Sequence, residues 1–174
     1  MFEEAALAKR ARAVLPRLPR LAGAPIRMER QPGLRDRRGP VHAGAFLRER
    51  RIAFDCKGGE FARILVHEVF HFVWLRLGNT RRQSFEKLLG AEIAVGARGE
   101  LGWAAEYRKQ DLRPADASQR SRRWREYCCE SFCDTAAWLY SGARAHEEFT
   151  LGQRHRGRRQ GWFTELTEAR ELSI

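Results

Sequence analysis

Between Phe61 and Leu77 the chain is apolar on almost every side of a helical period, in the stretch FARILVHEVFHFVWLRL. Such density over that length predicts a buried helix from about Glu60 to Leu77, stopped by Gly78-Asn79. Just before it the period changes to two. Val41, Ala43, Ala45 and Leu47 alternate with polar or small residues, as do Ile52, Phe54 and Cys56. Two strands, 41–47 and 51–56, joined by the turn RER, are the expected result. Helical patterns follow at 83–95 and 100–110. A longer one ends near Tyr140, with Asp116 or Ser118 as its cap. Residues 142–158 read as a Gly- and Arg-rich loop, and 162–172 as a closing amphipathic helix. At the other end a first helix stops before Pro16 and leads into a Pro-rich linker, and 24–40 reads as irregular. The pattern predicts one α+β domain over 1–174, mostly helical, with a small antiparallel sheet packed on the 60–77 helix. Residues 1–40 are its N-terminal helix and irregular segment, and 41–174 its core.

Three residues do not fit the apolar helix. His67, Glu68 and His71 stand where Val or Phe would pack better, and burying polar groups without partners costs roughly a few kcal/mol each. They spell HExxH. On a helix, residues four apart share a face, so both imidazoles reach one point. Neutral imidazole suits Zn²⁺, and Glu68 then lies beside an attacking water as general base. A catalytic zinc needs a third protein ligand and one open position. The later helix, WREYCCESFCDTAAWLY (124–140), repeats the anomaly with Glu130 and Asp134 at i, i+4. Glu130 can complete the metal set, and Asp134 can accept the free ring N–H of a ligand histidine. The plain alternatives are hydrogen-bonded core histidines, and salt bridges from the carboxylates to Arg122, Arg123 or Arg125. A metal shared between the two helices satisfies all four groups at once.

Charge adds a second feature. The net charge is +11, and 29 of the 33 basic residues are Arg. They cluster in RSRRWR (120–125) and RHRGRR (154–159), which can attract an acidic protein or nucleic acid, or can simply be a solvated surface. No nucleic-acid motif accompanies them. Cys56, Cys128, Cys129 and Cys133 include no CxxC pair, so buried reduced thiols are the expectation. No apolar run spans a bilayer and the N-terminus lacks a secretory h-region, so a cytoplasmic protein without membrane contact is expected.

The order hairpin, HExxH helix, later helix with ExxxD resembles the gluzincin zinc metallopeptidases. Within that group it is most similar to the ImmA/IrrE type, whose later helix often reads E-x-x-A-[N/D]-x-F-A-x-x-L. Here that stretch runs from Glu130 through Cys133, Asp134, Ala136 and Ala137 to Leu139. Cys133 replaces the usual Ala, Ala136 the usual Phe, and Phe70 stands where Gly is common. The likeness covers roughly 41–78 and 124–140, leaving 79–123 as an elaboration. It implies a zincin-like fold and a peptidase acting on a peptide or protein substrate. One Zn²⁺ per chain would sit on His67, His71 and Glu130, with Glu68 as base and Asp134 behind a ligand histidine. His146, after the Glu130 helix where gluzincins often keep such a group, is a candidate oxyanion stabiliser beside Tyr107, Tyr127 and His155. The sequence does not choose among them, and an ordinary exposed loop histidine is the plain reading of His146. Two rival readings exist. One is a zinc-binding regulatory or interaction protein with weak or no hydrolysis, acting on a repressor or nucleic acid. The other is a basic nucleic-acid binder with a structural zinc. Glu68 favours the enzyme, since structural metal binding does not need it.

Overall fold

The computed structural model describes residues 2–36, 39–56, 58–168 and 171–174. It is α+β and mostly helical. In order, the elements are α1 (Phe2–Val14), β1 (Leu21–Ala22), β2 (Arg27–Arg30), β3 (Arg35–Asp36), β4 (Gly39–Pro40), β5 (Ala43–Phe46) and β6 (Arg51–Phe54). Then come α2 (Phe61–Arg76), α3 (Asn79–Ala94), α4 (Trp103–Gln110), α5 (Arg122–Tyr140), α6 (Gln153–Glu168) and β7 (Leu172–Ser173). No helix among the described residues is long and apolar enough to cross a membrane.

The main sheet is mixed, not antiparallel throughout. β5 and β6 form the expected hairpin, with Ala43 opposite Phe54 and Phe46 opposite Arg51. On the other side of β6 runs β2, parallel, from Arg27 opposite Arg51 to Arg30 opposite Phe54. The segment read as irregular thus supplies a strand. Its sequence, RMER, has one apolar residue, and it pairs through main-chain bonds and an Arg51–Glu29 ion pair at 2.7 Å. The small β3–β4 hairpin precedes β5. Residues 37–38, in that stretch, and Lys57, in the KGGE break, lie outside the described residues.

α2 packs mainly on α5. Phe70 turns inward, with its ring centroid 5.8 Å from Phe132 and 5.6 Å from Tyr140, while Phe132 stacks on Phe163 at 4.9 Å. Fully burying each such ring contributes on the order of 2–3 kcal/mol. The HExxH helix is therefore fixed by one face, which leaves the other to carry chemistry. α5 is capped by Ser121, whose hydroxyl accepts the Trp124 N–H, not by Asp116 or Ser118. Asp116 instead closes the preceding turn on the Arg113 N–H at 2.7 Å.

The expected loop 142–158 ends earlier, because α6 begins at Gln153. Its buried face is Arg159, Trp162, Phe163 and Leu166, at i, i+3, i+4 and i+7. The leading member of that stripe is an arginine, so the apolar pattern understates the helix. The predicted closing helix stops at Glu168, residues 169–170 lie outside the described residues, and Leu172–Ser173 pair in parallel with Leu21–Ala22.

Candidate metal centre

α2 and α5 present their polar pairs to each other. The Nε2 atoms of His67 and His71 are 3.2 Å apart. Glu130 Oε2 lies 3.2 Å from the first and 3.8 Å from the second. Behind His67, Nδ1 is 2.7 Å from Asp134 Oδ1. The other oxygen of Asp134 accepts the Ala105 N–H at 2.9 Å, in the first turn of α4, where the helix dipole favours an anion. Asp134 holds the Nδ1 side of the His67 ring and so directs Nε2 toward Glu130. His71 has its own partner on α5: Nδ1 is 3.4 Å from Cys129 Sγ.

This field draws positive charge. Burial works against charge on His67, but the charge and hydrogen bond of Asp134, then those of Glu130, lift its pKa well above the usual histidine range. Burial likewise opposes charge on His71, yet Cys129 and Glu130 raise it to about 9. Burial would raise Glu130, and the two histidines with Arg108 hold it down to about 2 instead. Cys129 is pulled down to about 6, first by its hydrogen bond with Cys133 and then by His71. Two imidazoles and a carboxylate converge on one point.

The spacing fits a metal. Tetrahedral zinc with bonds of about 2.0–2.1 Å separates neighbouring ligand atoms by about 3.3–3.4 Å, close to the 3.2, 3.2 and 3.8 Å found here. Cys133 Sγ also lies within 4.8 Å of the histidine nitrogens. Burial and then Cys129 raise its pKa well above the usual thiol range. Glu130 also borders the cleft, which Cys133 does not.

That cleft holds about 610 Å³. One wall is β5 with the β3–β4 hairpin, the other is Ala104, Tyr107 and Arg108 of α4, and His67, Glu68, His71 and Glu130 lie between them. Glu68 is only 8% exposed, yet among the described residues no ion pair or hydrogen bond ties its carboxylate. Arg108 Nη2 reaches Glu130 Oε1 at 3.0 Å. The segment 79–123 therefore contributes Ala104, Tyr107 and Arg108 to the cleft.

His146 does not line it. Its Nδ1 accepts the Glu148 N–H at 3.2 Å and its Nε2 faces Glu60 at 3.1 Å, beside an Arg63 that bridges Glu60 and Glu148. Among the four oxyanion candidates only Tyr107 lines the cleft. Tyr127 is buried and donates to Glu100 at 2.6 Å, and His155 lies on α6. The basic clusters are not free charge throughout either. Arg120 pairs with Glu86, Arg122 with Glu126, and Arg159 is fully buried between Glu92 and Glu100. Arg108, Cys129 and Arg159 carry no local sequence signal for these roles. No family model, curated protein or solved structure matches the chain.

Proposed function

We propose that the chain is a zinc-dependent metallopeptidase, zincin-like in arrangement, that cuts peptide bonds in the cleft between β5 and α4. The carrying observation is the convergence of His67 Nε2, His71 Nε2 and Glu130 Oε2 beside Glu68 at the base of that cleft. When bound there, zinc supplies Lewis acidity, acidifying a water and polarising a carbonyl. Glu68 takes the proton of the attacking water and passes it to the leaving amine. Asp134 and Cys129 hold the two histidine rings in place. Tyr107 replaces His146 as the candidate donor to the developing oxyanion.

A peptide substrate is supported by β5. The Asp55 N–H bonds to the His42 carbonyl, so by alternation Gly44 bonds to β6 while the main-chain groups of Ala43 and Ala45 turn outward. An extended peptide can pair with that edge. The combination is what the gluzincin and ImmA/IrrE resemblance implies. A purely regulatory zinc site leaves Glu68 without a task, and ion pairs already engage Arg120, Arg122 and Arg159, three of the eight clustered arginines that a nucleic-acid surface would use. The test is Glu68→Gln. Metal content and fold should be kept and peptide hydrolysis lost, since the amide accepts no proton at neutral pH. Undiminished hydrolysis by this variant rules the mechanism out.

A further inference from the structure

Arg108 reaches from α4 to the one oxygen of Glu130 that does not serve the histidines. Its Nη2 is 3.0 Å from Oε1, whereas Oε2 is the atom 3.2 and 3.8 Å from the two ring nitrogens. The guanidinium is itself fixed, because Nη1 donates to the Ala104 carbonyl at 2.9 Å, one helical turn back. A carboxylate can hold a divalent cation through one oxygen or through both. Which it does decides whether a catalytic site keeps a position for water and substrate. Turning Glu130 so that both oxygens ligate means breaking a charge-assisted hydrogen bond, one of the stronger kinds.

We propose that Arg108 is a positioning residue that holds Glu130 to one ligating oxygen, Oε2, and so limits a bound ion to three protein atoms and one exchangeable position. This rests on His67, His71 and Glu130 being the ligands. The guanidinium also draws on the charge of Glu130, which leaves the bound cation less neutralised and a better Lewis acid. Arg108 lines the cleft without blocking it, with its side chain 27% exposed. The elaborated segment 79–123 thus sets the coordination mode of a ligand carried by α5.

The cobalt-substituted chain reports coordination number directly in its visible absorption. The parent is expected to show the intense bands of a four-coordinate ion. Arg108→Met should still bind cobalt, at least as tightly, but with bands several-fold weaker as Glu130 Oε1 joins the ion. Arg108→Lys, which can still reach Oε1, should restore the parent spectrum. Arg108→Gln keeps a polar side chain too short to reach Oε1, and carries the same reading if Arg108→Met does not fold. A parent-like spectrum in Met and Gln variants overturns the proposal, as does loss of cobalt binding in both, which makes Arg108 a mere support of the site. A parent that takes up no cobalt instead overturns the metal centre itself.

Discussion

A Cβ on Gly102 would stand 2.2 Å from the carboxylate carbon of Asp134. The glycine backbone is extended, so the constraint is space and not conformation. It lets the start of α4 close onto Asp134, which accepts the Ala105 N–H with one oxygen and faces His67 with the other. Gly102→Ala should push that carboxylate off its place. The expected cost is about 1–3 kcal/mol of stability, as for other overpacked sites, and zinc affinity should fall about 10- to 100-fold through the loosened His67. Urea unfolding and a zinc titration check both, and unchanged affinity would show that Asp134 does not orient the ring.

Glu130 and Asp134, one turn apart on α5, should respond differently to removal. Glu130→Ala takes away the proposed ligating oxygen and should abolish tight metal binding. Asp134→Ala leaves all three ligands and should bind zinc about 10- to 100-fold more weakly. Both should lose the thermal stabilisation that added zinc gives the parent, Glu130→Ala completely and Asp134→Ala in part. Reversed effects in the titration would make Asp134 the ligand.

Metal affinity should depend on pH. In the metal-free protein His71 titrates near 9 rather than the ordinary 6.5, and His67 is raised as well. Below those values a cation must displace protons, so affinity falls as pH falls, by about tenfold per pH unit for each proton released. Zinc titrations from about pH 6 upward should show tightening that weakens once pH passes about 9. A flat profile over this range is incompatible with protonated ligands.

Arg159 carries no chemistry but underlies the frame. It is fully buried, holding Glu92 at 2.6 Å and Glu100 at 2.7 Å, and Lys109 joins Glu100 from α4 at 3.1 Å. Arg159→Met leaves two buried carboxylates short of a partner and should cost about 3–5 kcal/mol. Acid should act on the same network. Burial alone would raise the pKa of Glu100, but Arg159, Lys109 and Tyr127 hold it below its ordinary 4.5. Its contribution is therefore present above about pH 4.5 and lost as pH falls toward the lower folded value. Arg159→Met should shift acid unfolding to higher pH, measured by circular dichroism, and an unshifted midpoint would deny Glu100 that part.

What could be read from the sequence was what spacing along one helix or strand fixes. His67 with His71, and Glu130 with Asp134, lie at i, i+4, so each pair had to share a face, and the anomaly of polar groups in apolar helices pointed the two faces at each other. The β5–β6 hairpin followed from alternation. What depended on distant packing could not be read. β2 has one apolar residue and pairs through its main chain. The start of α6 is hidden in the sequence because Arg159, at the head of its buried stripe, looks like a surface residue. Arg108 and Tyr107 enter the cleft only because α4 docks on Asp134 through Gly102. His146 follows the Glu130 helix in sequence, but its contacts with Glu60 and Glu148 keep it from lining the cleft. Cys129, a free thiol on α5, touches His71 only because α5 packs on α2.

The proposed site requires His67, His71 and Glu130 to hold one catalytic zinc together. Elemental analysis of the chain, stripped of metal and then equilibrated with Zn²⁺, tests it most directly beside Glu130→Ala. The expected result is about one zinc per parent chain and little or none in the variant. A parent chain that keeps no zinc, or a variant that keeps as much, contradicts the claim.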